Sequence, residues 1–572
     1  MGIKIPVGIE NFAKMREGDY YYVDKTAFIK ELLSQQFEAN LVTRPRRFGK
    51  TLTMSMLEDF FDISRDSKAH FDGLEISKED GLCKEWMNHW PVIFLTLKNV
   101  EGLNFASAFE RLKILIAELA RKNRFLIESD KTDIDDKRDL EALCDRSENR
   151  ESVSNSLALL TRMMDAYYDK PPILLIDEYD VPLAKAHDGG YYDEMLDVIR
   201  AMLGAVLKTN SHLKFAVITG CLKISKESIF TGINNLASNT ITGNRFDESI
   251  GFTEPEVQSL LSAAGLLDHA DEVRIWYDGY RFGSVDVYCP WDVLNHVSAL
   301  IDDPTAQPDN YWADTSHNDV IYKLFENEEF DVNSKFETLL SGGSIEEIIT
   351  EDLTYDSLEV SEETLWSLLF MTGYLTQEKE VTIKDLPSGA AFDEYQMKEK
   401  KAVLRIPNEE VKSIFQKSVV AWFKKDVQSI DRTEIFKAFW YGDAKTASSS
   451  ISDLLFNSIS YHDYRESYYH AFVSGLFAGA GYVVKSNYEY GNGRPDVVIK
   501  DKRKRRAMLF EIKHAKENET LEHACKEALN QIKNKRYAEA LNGYHTVISY
   551  GIAFKGKDCI VEQYGKQNRK VL

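Results

Sequence analysis

Apolar residues recur along this chain at two spacings. Short continuous apolar runs bounded by polar residues predict buried strands at Leu41-Val42, Ile173-Leu174-Leu175-Ile176 and Phe215-Ala216-Val217-Ile218. Near the other end, Val497-Val498-Ile499, Met508-Leu509-Phe510 with Ile512, and Thr546 to Phe554 have the same character. Helical spacing links Phe28, Ile29, Leu32 and Leu33; Leu52, Met56, Leu57 and Phe60; and Val257, Leu260, Leu261 and Ala264. It returns at Tyr469, Phe472, Val473, Leu476 and Phe477, and again at Leu521, Ala524, Ala528 and Ile532. Asp24-Lys25-Thr26 predicts a cap for the first of these helices, and Thr253 with Glu256 predicts a capping box for the third. The order of elements divides the chain into an α/β parallel-sheet domain over 1–250, a mainly helical region over 251–457 and a second α/β domain over 458–572. Small and Ser-rich residues from Ser448 to Ser460 precede the last domain, which reads helix, three strands, helix, strand.

Candidate chemistry sits at the ends of the predicted strands. The joint after the first strand reads Arg44-Pro45-Arg46-Arg47-Phe48-Gly49-Lys50-Thr51. Gly49-Lys50-Thr51 at a helix start is the end of a phosphate-binding loop: backbone N–H groups hold phosphate oxygens, Lys50 reaches the β and γ oxygens, and the Thr51 hydroxyl binds Mg²⁺. Arg44 stands where the full motif requires its first glycine, so the loop is degenerate, and Arg46 and Arg47 offer either phosphate contacts or stabilisation of the loop itself. The strand ending in Asp177-Glu178 supplies the partner, with Asp177 for the Mg²⁺ shell and Glu178 to activate water. Thr219 closes the third strand at the place of a γ-phosphate sensor. Three strand ends in this order predict an ATP site.

Strand residues alternate faces, so Glu511 and Lys513 project from one side of their strand while Phe510 and Ile512 pack on the other. If the strand beginning at Asp496 pairs with it, Asp496 and Glu511 share a divalent metal, Mg²⁺ or Mn²⁺, and Lys513 orients or activates a bound water. That is phosphodiester-cutting chemistry.

The rear residues resemble the PD-(D/E)XK nuclease superfamily through Pro495-Asp496, the spacing of fifteen to Glu511, the x-Lys that follows and the order of elements. The resemblance implies catalysis by Asp496, Glu511 and Lys513, with Glu466 as a further metal residue and Gln531, beside Lys535 and Tyr537 late on the second helix, in support. The front half resembles the bacterial AAA-ATPase-like family in Arg-Pro-Arg-Arg-Phe-Gly-Lys-Thr, in Leu175-Ile176-Asp177-Glu178-Tyr179-Asp180 and in Ser228 to Leu236. This likeness continues through Trp276 to Phe282, Tyr311 to Ser316, Thr372 to Thr376 and Ile406 to Val411. Lys223 departs from it, because the family favours an arginine there and lysine lacks the bidentate fork. Such proteins commonly end in a nuclease-superfamily domain. Together the resemblances imply an ATP-controlled, metal-dependent nuclease; the alternative is a nucleotide-sensing switch that binds nucleic acid without cutting it.

Composition refines this picture. The length of 572 residues and a 44% hydrophobic content predict a multidomain globular protein. The net charge of −22 argues against a nucleic-acid partner until it is divided along the chain. Residues 461–572 hold 20 Lys and Arg against 13 Asp and Glu, while the remainder holds 50 against 79, so the basic end is the nuclease-like end and the expected nucleic-acid contact. The run Lys500 to Arg506 supplies much of that charge and reads either as a solvated hairpin tip or as a phosphate contact. The acidic stretches Glu326 to Phe330 and Glu346 to Asp356 read as loops or solvated faces, and Trp276-Tyr277 as core. Six scattered cysteines predict buried thiols, with no disulfide framework or zinc site. With neither a signal peptide nor an apolar membrane span in view, the expectation is a cytoplasmic bacterial protein with no membrane partner and room for a homo-oligomer.

Overall fold

The computed structural model describes residues 3–35, 37–146, 149–224, 229–230, 233, 236–312, 332–340, 342–351, 353, 361–378, 401–416, 433–458, 466–478, 482–486, 495–501, 504–516, 518–535, 537, 541 and 544–568. Two compact units emerge: residues 1–316 with 346–410, and residues 317–345 with 411–572.

The first unit is built on five strands, β1 (Ala39–Thr43), β2 (Val92–Thr96), β3 (Ile173–Asp177), β4 (Phe215–Gly220) and β5 (Leu236–Asn239). They lie in the order β2-β3-β4-β1-β5, and every pairing is parallel. Parallel neighbours need crossovers that cover both faces of a sheet, which is why β1, β3 and β4 are buried along their whole length. The same parallel arrangement brings the C-terminal ends of β1, β2, β3 and β4 to one edge. The helix Ala27–Ser34 is entered through Asp24, whose Oδ1 accepts the Thr26 N–H and hydroxyl and whose Oδ2 accepts the Glu75 N–H. Thr26 itself makes no capping bond with its side chain.

Beyond the sheet, helices Glu254–Ala264, Ala270–Tyr277 and Pro290–Asp302 close around Val257, Leu260, Leu261, Val273, Tyr277, Val293 and Val297. The Thr253–Glu256 capping box is formed, and Tyr277 is buried core with Trp276 packed beside it. A hairpin of β6 (Tyr280–Phe282) and β7 (Val285–Val287) follows, as does a small sheet of β8 (Ile345–Ile348), β9 (Thr376–Gln377) and β10 (Lys401–Arg405). The stretch from Glu346 is therefore no solvated loop at its start: Glu347 is buried in β8, and Glu351 accepts the Thr240 and Thr242 hydroxyls. Glu326 to Phe330 lies outside the described residues.

In the second unit, strands β11 (Val483–Ser486), β12 (Val497–Asp501), β13 (Arg506–His514), β14 (Thr546–Lys555) and β15 (Asp558–Asn568) form a sheet in chain order. All pairs are antiparallel except β13 with β14, which helix Leu521–Lys535 connects as a crossover. The predicted helix, three strands, helix and strand are all present, and β15 is one strand more. One face of β13 uses Phe510 against Phe439, Phe477 and Tyr550; the other uses Leu509 with Ile532 and Tyr537. Helices Thr433–Tyr441 and Ala444–Ser458 also belong to this unit, and the Tyr550 hydroxyl donates to the Phe439 carbonyl. All six cysteines are free. Among the described residues, no helix is long and apolar enough to cross a membrane.

Candidate functional site

At the C-terminal edge of the parallel sheet, Gly49 adopts φ +94° and caps helix Lys50–Phe61, a conformation that lets the loop turn directly into the helix. Arg47 also sits at positive φ, at +70°. The Lys50 ammonium donates to the Arg44 and Pro45 carbonyls, each at 2.9 Å. Asp177, fully buried at the end of β3, is the centre of a hydroxyl network. Its Oδ2 accepts Thr51 Oγ1 at 2.8 Å and, at longer range, Thr96 Oγ1 at 3.4 Å; its Oδ1 accepts Thr219 Oγ1 at 2.6 Å. Thr219 is thus turned onto the carboxylate beside it. Glu178, at φ +55°, is part-buried, and its carboxyl is raised above the ordinary glutamate range by burial first and by Asp177, with Lys50 opposing.

Arg44 resolves the missing glycine. Its guanidinium is fully buried and donates to the Thr43, Asn239, Arg245 and Phe246 carbonyls, and burial pulls its pKa down to about 10. A glycine at 44 would leave those carbonyls without their donor, so the loop is held from inside the protein.

In the second unit the β12–β13 register pairs Val497 with Phe510, which sets Asp496 at the strand mouth beside Glu511. Asp496 Oδ2 accepts the Ile512 N–H at 2.7 Å. Glu511 is fully buried, with the Lys513 ammonium 4.0 Å from its Oε1. Gly551 lies opposite Glu511 on β14, and a Cβ there would meet Leu529 at 2.9 Å, so the glycine lets helix Leu521–Lys535 approach the sheet. That helix brings Gln531 to the Tyr537 hydroxyl, at 3.5 Å, while Tyr537 lies past the helix end and within the field of Asp496, Glu511 and Lys513. Glu466 begins helix Glu466–Ala478, but its side chain lies outside the described residues. At the basic hairpin, Arg506 binds Asp501 at 2.9 Å and stacks over Trp440, which leaves Lys504 and Arg505 as the exposed described cations of the tip.

Sequence reasoning missed three residues here. His470 places Nε2 3.2 Å from Asp496 Oδ2; its signal in the sequence was its place four residues after Glu466 in a run of helical spacing. Thr96 needed only its place at the end of an apolar strand. Asp180, whose Oδ2 accepts the Cys221 and Leu222 N–H groups, lay within the quoted Leu-Ile-Asp-Glu-Tyr-Asp run. Of the remaining motif residues, Ser228, Thr231, Gly232, Asn234, Asn235 and 313–316 lie outside the described residues.

Comparison with known proteins gives these two sites their context. Residues 6–230 match the AAA-ATPase-like family, described as a predicted AAA-ATPase, and residues 464–564 match the PD-(D/E)XK nuclease superfamily. An uncharacterized protein in the vnfD 5'region of Azotobacter chroococcum mcd 1 is 27% identical over 547 residues, covering 94% of this chain and 93% of that protein. The chain therefore joins an AAA-ATPase-like segment to a PD-(D/E)XK nuclease superfamily segment.

Proposed function

We propose that this protein is an ATP-controlled, metal-dependent nuclease. The observation that carries the reading is the meeting of Asp496, Glu511 and Lys513 at one mouth of a sheet in a chain that also gathers Lys50, Thr51, Asp177 and Glu178 at the edge of another. Domains of these two classes generally use ATP and divalent metals. The donor sets suit them: a buried carboxylate ringed by hydroxyls at the front, and two acids close to a lysine at the rear. Thr51 and Asp177 would hold Mg²⁺; Asp496 and Glu511, with Glu466 as the further metal residue that the superfamily resemblance implies, would hold Mg²⁺ or Mn²⁺. A bound divalent ion supplies charge neutralisation on phosphate and acidifies water. Lys50 and the loop N–H groups bind the β and γ phosphates, with Arg46 and Arg47 beside them, and burial, by raising the Glu178 carboxyl, makes it a stronger base toward water when ionised. Lys513 orients the attacking water, and Gln531 supports the site through Tyr537. Nucleic acid reaches the rear unit along its basic surface. The protein works in the cytoplasm, as one copy or several.

A second reading, a nucleotide-sensing switch that binds nucleic acid without cutting, draws on Arg44: a loop braced by a buried guanidinium favours slow turnover. Incubating the full chain with mixed DNA and RNA, with Mg²⁺ or Mn²⁺ and with or without ATP, separates the two. Metal-dependent cleavage that changes with ATP is expected. Inactivity on every nucleic acid with ATP present would leave the switch as the better account.

A further inference from the structure

The residues of the phosphate-binding loop are seated one by one in the segment that follows the parallel sheet. Pro45 lies against Gly373, where a Cβ would come within 3.0 Å of the proline ring. The Arg46 carbonyl accepts Trp312 Nε1–H at 3.4 Å, the Arg47 guanidinium lies 4.2 Å above the Trp291 ring, and Cys289 Sγ is 3.7 Å from the Arg47 carbonyl. Phe48 packs against Tyr280 and Phe282.

Behind this seat stand two carboxyl groups that the chemistry above does not use. Asp292, on helix Pro290–Asp302, and Glu410 are fully buried and face each other. Glu410 Oε1 accepts the Trp312 N–H at 2.8 Å. Apart from the facing carboxyl and the Cys289 thiol, no donor among the described residues meets its Oε2 or either oxygen of Asp292. The groups around the pair are the Cys289 thiol, the phenols of Tyr277, Tyr280 and Tyr311 and, with opposite charge, Arg47. Two carboxylates in such a place do not both ionise. Burial pushes both carboxyls above the usual carboxylate range; the Asp292 charge raises Glu410 further, while hydrogen bonds with Cys289 and Glu410 and the charge of Arg47 oppose the rise of Asp292, so the pair shares one proton with its negative charge beside Arg47.

We propose that Asp292 and Glu410 are positioning residues for the phosphate-binding loop, seating Arg46 and Arg47 through Trp312, Cys289 and the charge of Arg47, and that the pair takes up a second proton when Mg-ATP binds. The inference rests on the nucleotide reading above. A polyphosphate in the loop draws on the charge of Arg47 and adds its own negative potential in a low-dielectric setting; both raise the proton affinity of the pair. The proton passes from buffer to the ionised carboxylate, and no other bond changes. Binding that raises a pKa takes up protons, so affinity falls as pH rises between the free and bound values, by at most about tenfold per pH unit for one proton. Nucleotide occupancy would thereby be registered in the segment beyond the sheet.

Calorimetric titration of the full chain with Mg-ATP, in buffers of different ionisation heat and in excess Mg²⁺, counts the protons exchanged. Net uptake is expected for the unaltered chain, with affinity roughly threefold to tenfold weaker at about pH 8.5 than at about pH 7.5. Asp292→Asn, uncharged and of the same shape, should take up fewer protons than the unaltered chain and show a shallower profile, the remainder coming from Glu178 beside the same phosphates. Binding by the unaltered chain without proton uptake overturns the inference and leaves the nucleotide site standing, whatever the variant does. An Asp292→Asn profile as steep as that of the unaltered chain overturns it too. Absence of any Mg-ATP binding would remove the nucleotide reading, and this inference with it.

Discussion

The two candidate sites of this protein hold their acids on opposite plans. Asp177 is surrounded by neutral donors: hydroxyls from β2, β4 and the helix after β1 meet its two oxygens. Asp496 and Glu511 instead have a backbone N–H, an imidazole and an ammonium as neighbours. The difference teaches where each site takes its order from. Hydroxyls at the ends of parallel strands hold Asp177 in place by geometry alone, so the front site is braced before any cation is considered. At the rear, Glu511 is buried with a cation at 4.0 Å, and charge balance governs what the site accepts.

The sharpest way to test this contrast is at the rear. Asp496→Ala and Lys513→Ala should each slow metal-dependent cleavage roughly a thousandfold, the first by removing a metal ligand and the second by removing the cation beside the water. Titration with Mn²⁺ tells them apart, since Asp496→Ala should lose affinity and Lys513→Ala should keep or gain it. Equal Mn²⁺ affinity in the two variants would erase the distinction between ligand and positioning cation.

Next in size is the brace of the front site. Arg44→Ala leaves four carbonyls without their donor and should destabilise the first unit by about 3 kcal/mol in denaturant titration. Unchanged stability would mean that the loop holds its shape without the guanidinium.

Glu178→Gln should slow ATP hydrolysis roughly a hundredfold while leaving Mg-ATP affinity unchanged, because an amide cannot take the proton of water. The base works only when ionised, and burial raises its carboxyl, so turnover in the unaltered chain should fall as pH drops through a value above the ordinary glutamate range. A pH profile with no such fall, or turnover indifferent to the substitution, would make Glu178 a structural residue.

The smallest effect should come from Lys50→Ala, with Mg-ATP affinity weakened by about tenfold to a hundredfold in calorimetry as the phosphates lose their nearest cation. Because Lys50 also opposes the upward shift of Glu178, residual turnover in this variant should require a higher pH. Identical affinity with and without Lys50 would remove the front site.

Much of both sites was legible along the chain because their members lie close in sequence or at strand ends. Gly49-Lys50-Thr51, Asp177-Glu178 and Glu511-x-Lys513 declare themselves through local spacing, and the apolar runs before them show which ends meet. That Phe510 packs on the face away from Glu511 followed from alternation alone, and Phe477 lies against the Phe510 ring. Glu347 was misread because charge in a sequence suggests solvent, whereas pairing in β8 buried it.

By itself, then, the amino-acid sequence determined the periods of the elements, their order and the residue types at the strand ends, since these depend on neighbours a few positions apart. Tertiary structure alone decided that Arg44 is an internal brace, that His470 meets Asp496 and that Asp292 faces Glu410 behind the loop. Those pairings join residues far apart in the chain, and even where a local pattern marks one member, as the step from Glu466 marks His470, it does not name the partner. They exist because a charge removed from water must find a partner, and only the packed fold determines which partner is within reach.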